Sequence, residues 1–180
     1  MGAAYLLTGE PGIGKTTALK KILEAIGRDR CGGFYTEEAR IDGVRTGFRV
    51  VTLAGLTGEI AAVTSMSSLR VGKYGVDLES LEAVGVGSIY EALRTKECVV
   101  IDEIGPMQLF SAAFKQAVLD VLASPRVLLG TVVQRPYEWA NELKERPQVR
   151  MFTLTLETRD RIVEAIVSLI SQSSSKAPIK

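Results

Sequence analysis

Near the start of the chain the sequence reads Gly9-Glu10-Pro11-Gly12-Ile13-Gly14-Lys15-Thr16, and these residue types at this spacing can hold a polyphosphate. Glycines at 9, 12 and 14 let the backbone curl tightly, so successive N–H groups point inward as an anion nest. Lys15 has the reach to touch outer phosphates, and the Thr16 hydroxyl suits a Mg²⁺ ion. A helix starting here adds the positive end of its dipole. The pattern points to a nucleoside triphosphate and says nothing of the base.

A second constellation lies at Asp102-Glu103, after the mostly apolar run Cys98-Val99-Val100-Ile101. An acid at such a strand end supports Mg²⁺ directly or through water. Glu103 follows at once, placed to orient or deprotonate an attacking water. Alone, the Ile-Asp-Glu triplet means little; with a phosphate loop in the same chain it gains weight. Thr131, after the apolar stretch Val127–Gly130, either senses a terminal phosphate or satisfies its own backbone. Arg135 and Arg159 are candidates for contact with phosphate or base.

These residues need elements to place them. Ala3–Leu7 reads as a short buried strand. From Thr16 to Ile26, the residues Ala18, Leu19, Ile22, Leu23 and Ile26 fall on one helical face. The next stretch is rich in β-formers, with strands expected at about 33–40, 47–53 and 59–63. The Asp42-Gly43 pair signals a hairpin. Residues 70–78 read as a loop plus a short strand, with 72–77 a candidate lid, and 88–95 as a helix. Then follow a buried strand at 97–103, a helix at 111–124 and a buried strand at 126–133. The last elements are a helix opened by Pro136, a strand at 149–156 and a helix with Thr158 as its cap. Trp139 is expected to pack. This alternation predicts an α/β fold with a mostly parallel sheet, helices on both faces and an antiparallel β-ribbon insertion at about 33–65. One domain is expected over 1–172, with a polar, disordered tail at 173–180. In such sheets ligands sit at the carboxyl ends of strands, where both constellations fall.

Composition excludes several classes. The 180 residues carry 22 Lys+Arg against 21 Asp+Glu, so bulk charge does not support nucleic-acid binding. Arg40, Arg45 and Arg49 on the ribbon keep that option open locally, but Glu37, Glu38 and Asp42 interleave with them and favour a mixed solvent face. There is no histidine, which removes His-activated nucleophiles and His metal ligands. Two cysteines, Cys31 and Cys98, lie outside any C-x-x-C pair. They suggest reduced thiols in a cytoplasmic protein. No signal peptide, myristoylation signal or membrane span is read from the sequence. The single asparagine, Asn141, hints at a heat-adapted source.

Over nearly its whole length the sequence resembles the thermostable nucleoside-triphosphatase family of the cancer-related nucleoside-triphosphatase type. The stretches that carry this are GEPGIGKTT, GGFYTEEARIDGVRTGFRVVTLAG, VGKYGVDL, VVIDEIGPMQLF and LLGTV. The resemblance implies a RecA-like P-loop core and Mg²⁺-dependent hydrolysis of ATP, GTP, CTP, UTP and TTP to the diphosphates and phosphate. It also implies little discrimination between bases. By position it assigns nucleotide binding to Gly9, Glu10, Pro11, Gly12, Ile13, Gly14, Lys15, Thr16 and Thr17. It assigns the walls of that site to Val99, Val100, Ile101, Asp102, Glu103, Ile104, Gly105 and Pro106. Thr16 and Asp102 are the implied metal residues, and Glu103 and Lys15 the implied catalytic ones. The chain departs from the family pattern Asp-Glu-Ile-Gly-Lys-Met-Glu-Leu at Pro106, which replaces the lysine, and at Gln108, which replaces the glutamate. A replacement cation is then sought among Arg45, Lys73, Arg135 and Arg159, and turnover is expected to be slow. The alternatives are a kinase for a small molecule or nucleic-acid end, and a nucleotide-gated binding module. A monomer is favoured.

Overall fold

A computed structural model describes residues 2–174. Of the tail expected at 173–180, residues 173 and 174 close the last helix, and the rest lies outside the described residues. The chain opens with β1 (Ala4–Thr8), the loop and α1 (Lys15–Ile26). Next come β2 (Cys31–Ile41), β3 (Val44–Thr52), β4 (Thr57–Ala62), β5 (Arg70–Val71) and β6 (Tyr74–Val76). A single turn, α2 (Leu78–Ser80), passes through a wider π-type stretch, Leu81–Val86, into α3 (Gly87–Thr95). The remainder is β7 (Cys98–Ile104), α4 (Ala112–Ala123), β8 (Val127–Val132), α5 (Glu138–Lys144), β9 (Val149–Thr153) and α6 (Arg159–Ser174).

All nine strands form one sheet in the order β5-β6-β4-β3-β2-β7-β8-β1-β9. The half from β2 to β9 is parallel, and the half from β2 to β5 is antiparallel. The expected α/β fold is therefore present, and the ribbon is continuous with its sheet. Strand β2 makes that possible. Cys31–Tyr35 pair with Cys98–Asp102 of β7, while Phe34–Ile41 pair with β3. The β2–β3 turn takes Asp42 at φ 48 and Gly43 at φ 79, the left-handed pair that a two-residue hairpin needs.

Two cores follow from the period-2 alternation of the central strands. Ala4, Leu6, Val99, Ile101 and Leu128 point to one face, where α3, α4 and α5 cover them. Tyr5, Leu7, Val100 and Leu129 point to the other, against α1 and α6. Ala18, Leu19, Ile22, Leu23 and Ile26 are the buried residues of α1, as the helical period requires.

Two boundaries differ from expectation. Pro136 stands ahead of α5, whose N-cap is Tyr137, so the proline ends the preceding loop rather than opening the helix. Thr158 sits just before α6 and its carbonyl accepts from Ile162 N–H, but its hydroxyl accepts from Thr155 N–H instead of capping a helical amide. The expected lid at 72–77 is instead a hairpin, β5–β6, at the sheet edge, with Tyr74, Gly75 and Val76 buried.

Candidate active site

The loop between β1 and α1 ends at Gly14, the N-cap of α1, with φ 99 and no side-chain cap. The first amides of the helix are thus claimed by no side chain, and they face the loop as donors. Lys15 curls back over this loop: its Nζ donates to the Gly9 carbonyl at 2.8 Å and to the Glu10 carbonyl at 3.1 Å. The ammonium is held over the same hollow that the amides line.

Strand β7 delivers the acids to this hollow. Thr16 Oγ1 donates to Asp102 Oδ2 at 2.7 Å, joining two residues 86 positions apart. Thr131, on β8 between β1 and β7, donates to Asp102 Oδ1 at 2.5 Å. Both carboxylate oxygens therefore have hydroxyl donors, although Asp102 is only 3% exposed. Burial still pushes the Asp102 pKa up, while the Thr131 and Thr16 hydroxyls and the Lys15 charge pull it down. Thr131 thus bonds neither its own backbone nor solvent; it grips the acid. The β7–β8 register shifts between Ile101 and Ile104, which takes Asp102 and Glu103 out of the regular ladder at the strand end.

Glu103 is half-buried and lines the same cleft, of about 420 Å³, as Lys15, Thr16, Asp102 and Thr131. Burial is the main cause raising its pKa, the Asp102 charge raises it further, and Lys15 opposes them. A second cleft of about 320 Å³ adjoins, and Glu103 and Lys15 line it with Gly9, Glu10 and Arg135. A third, of about 310 Å³, opens on the α6 side, between Gly12, Ile13, Gly14, Thr17, Lys21 and Arg159. The loop is therefore ringed by three clefts that share its residues. A larger, mostly apolar cavity of about 490 Å³ lies among Gly32, Leu53, Val84 and Ala92, and none of the chemistry-bearing residues borders it.

The structure sorts the expected site residues. Those of the loop, with Asp102 and Glu103, come together. Val99, Val100, Ile101 and Ile104 do not face the clefts: all four have no exposed surface and belong to the two cores. Alternation in a buried strand turns these side chains into the protein, so they pack in the cores on either side of the sheet and line none of the three clefts. Gly105 and Pro106 lie in the turn just beyond β7 and line none of the three clefts.

Two contributors have no motif to announce them. Thr36 on β2 donates to the Asp102 carbonyl at 2.8 Å, and Gln108 Nε2 lies 3.4 Å from Thr36 Oγ1. Gln108 is 2% exposed, a place where a neutral amide needs no counter-ion. Glu38, two residues along the same face of β2, lines the cleft of Asp102. Period-2 alternation on β2 is the signal that links Thr36 and Glu38, once β2 is known to pair with β7.

The ribbon arginines are engaged. Arg40 and Arg45 both bond Glu38, at 2.5 and 2.7 Å, and Arg49 bonds Glu37 at 3.1 Å. Arg45 also donates to the Tyr74 hydroxyl at 2.9 Å, and Lys73 lies over the Tyr74 ring. The ribbon presents paired charges of both signs, the mixed face that its sequence suggests.

A family model described as NTPase matches residues 4–167. The chain belongs to this NTPase family. It is similar to nucleoside-triphosphatase THEP1 of Thermotoga sp. (strain RQ2), with 39% identity covering 92% of this chain and 94% of that protein. It is 38% identical to the human cancer-related nucleoside-triphosphatase, over 98% of this chain and all of that one (100%). The crystal structure of THEP1 from the hyperthermophile Aquifex aeolicus superposes with a TM-score of 0.84 at 36% identity, covering 92% of this chain and 98% of that one. The family resemblance, the P-loop fold and the hydrolase class read from the sequence are thereby borne out. Among the described residues, no helix is long and apolar enough to cross a membrane.

Proposed function

We propose that this protein is a Mg²⁺-dependent phosphohydrolase that converts nucleoside triphosphates of any common base to the diphosphate and phosphate. The observation that carries this reading is the Thr16–Asp102 hydrogen bond of 2.7 Å. It places the hydroxyl of the phosphate loop and the acid of β7 at one point, with Lys15 and Glu103 lining the same cleft.

The donors fit the metal. Thr16 Oγ1 gives its proton to Asp102 and keeps lone pairs for a cation, and Asp102 adds a carboxylate; both are hard oxygen donors. Two protein ligands are what Mg²⁺ takes when it arrives with phosphate oxygens and water. Thr16 and Asp102 would hold it, Asp102 directly or through water. When bound, the ion neutralises charge on the phosphate oxygens.

The chain's own residues do the rest. The amides of Gly9 to Thr16 and the start of α1 bind the β- and γ-phosphates, and Lys15 turns from the Gly9 and Glu10 carbonyls to the outer oxygens. Glu103 orients a water and takes its proton. The water oxygen bonds the γ-phosphorus, and the bond from that phosphorus to the β–γ bridging oxygen breaks. Positioning and charge neutralisation supply the rate. The α6-side cleft accepts the base. Its walls set the aliphatic Ile13, Ala18 and Val163 beside the flat Arg159 guanidinium and Thr17, and its Lys21–Asp160 pair at 3.1 Å is already satisfied. Such walls hold a base by its faces and discriminate weakly. A kinase needs an acceptor pocket beside the γ-phosphate; the large apolar cavity does not border the loop, and among the described residues only the small cleft of Glu103 and Arg135 adjoins that position.

The test is a phosphate-release panel over ATP, GTP, CTP, UTP, TTP and the diphosphates, with and without Mg²⁺. Release from every triphosphate, dependence on Mg²⁺ and loss in Lys15→Ala are the expected results. Label transfer to an added acceptor without phosphate release would instead make the protein a kinase.

A further inference from the structure

We infer that Arg135 is a catalytic residue, the cation that meets the γ-phosphate from the cleft it lines with Glu103 and Lys15. The inference rests on the hydrolase reading above and adds a group to it. Arg135 lines one cleft of about 320 Å³ together with Glu103, Lys15, Gly9 and Glu10. Glu103 is common to this cleft and to that of Asp102, so the reacting phosphate, once beside Glu103, lies within the space both share.

Arg135 is exposed, and among the described residues no acid or carbonyl engages its guanidinium. Its competitors are committed or misplaced. Arg45 is tied to Glu38 and Tyr74, and Lys73 lies over the Tyr74 ring at the sheet edge. Arg159 borders the α6-side cleft, which Glu103 does not line. The base of Arg135 is also restrained. Val133 N–H donates to the Ile104 carbonyl at 3.0 Å, fixing the segment to the end of β7. Pro136 follows, which confines the Arg135 backbone to extended conformations. A free guanidinium on a restrained stem can bond two phosphoryl oxygens at once, where charge spreads as the γ-phosphoryl leaves.

The experiment compares wild type, Arg135→Ala and Arg135→Lys in steady-state ATP hydrolysis with Mg²⁺. It also measures affinity for ADP alone and for ADP with aluminium fluoride, a mimic of the transferring phosphoryl group. For Arg135→Ala we expect kcat to fall at least ~10²-fold, toward the ~10³–10⁵ of a dedicated arginine. We expect KM and ADP affinity to change less than threefold, and the extra affinity conferred by aluminium fluoride to vanish. Arg135→Lys should recover part of kcat, since an ammonium keeps the charge but not the fork. An unchanged melting temperature shows that the variant is folded. If Arg135→Ala keeps kcat within threefold, or raises KM alone, the role is wrong while the hydrolase reading stands. If wild type itself releases no phosphate from any triphosphate, the hydrolase reading fails and Arg135 falls with it.

Discussion

Glu103 and Asp102 are adjacent acids in different settings. Asp102 has both oxygens occupied by threonine hydroxyls, at 2.7 and 2.5 Å, so it is held as an anion that orients rather than reacts. Glu103 makes no hydrogen bond with another side chain among those described, and burial beside a second carboxylate raises its pKa. A raised carboxylate is the stronger base. Glu103→Gln should therefore keep triphosphate affinity and lose ~10²–10⁴ of kcat, the usual worth of general-base help. In wild type, kcat/KM should decline on acidification at a pH above the ordinary carboxylate range, because Glu103 of the nucleotide-free enzyme takes up its proton there. A kcat/KM profile flat down to the ordinary range would overturn the role of Glu103 as the base.

At the scale of elements, the site depends on β8 lying close between β1 and β7. Gly130 makes that approach possible: a Cβ there would stand 2.3 Å from the Ile101 carbonyl oxygen, which is backbone and cannot turn aside. Gly130→Ala should push β7 away just before Asp102 and stretch the Thr131–Asp102 bond. Overpacking of this kind costs about 1–3 kcal/mol. For a chain of this length that lowers the melting temperature by ~2–4 °C per kcal/mol. Calorimetry should find the loss, and activity should fall more than stability alone explains. The same elements show what was legible in the sequence. The buried stripe of α1 and the Asp42-Gly43 turn are local, and period and turn chemistry reveal them. The loop and its acid were legible because each is a contiguous motif. The Thr131–Asp102 bond, the Gln108–Thr36–Asp102 chain and the capture of Arg45 by Glu38 join distant positions. No local pattern encodes them, since they follow from strand order. Val99, Val100, Ile101 and Ile104 were assigned to the site by position along the chain, whereas alternation in a buried strand sends them into the cores.

For the molecule as a whole, the buried acid pair costs stability when no cation is near. Asp102 and Glu103 both have raised pKa values in the folded chain, chiefly from burial. The folded state thus binds more protons than the unfolded state between the ordinary carboxylate range and the raised values. Stability of the nucleotide-free protein should therefore fall as pH rises through that window, and the penalty is complete above it. Glu38 and Glu97 have lowered pKa values and act in the opposite sense, losing stability as pH falls; but both are largely exposed ion pairs, screened by solvent, and weigh less. Mg²⁺ with a triphosphate supplies the missing positive charge only to the ionised pair. Its stabilisation, about 2.7 kcal/mol at a hundredfold excess over Kd, should therefore grow as pH rises through the same window. Asp102→Asn separates the causes. It removes one buried charge, so the nucleotide-free variant should melt higher than wild type at neutral pH. It should also lose most of the gain from Mg²⁺ with triphosphate. Melting curves of both proteins across pH, with and without Mg²⁺ and ATP, read all these quantities together. A wild-type gain that does not change with pH, or an Asp102→Asn variant that melts lower than wild type, would mean the buried pair is paid for by contacts other than the cation.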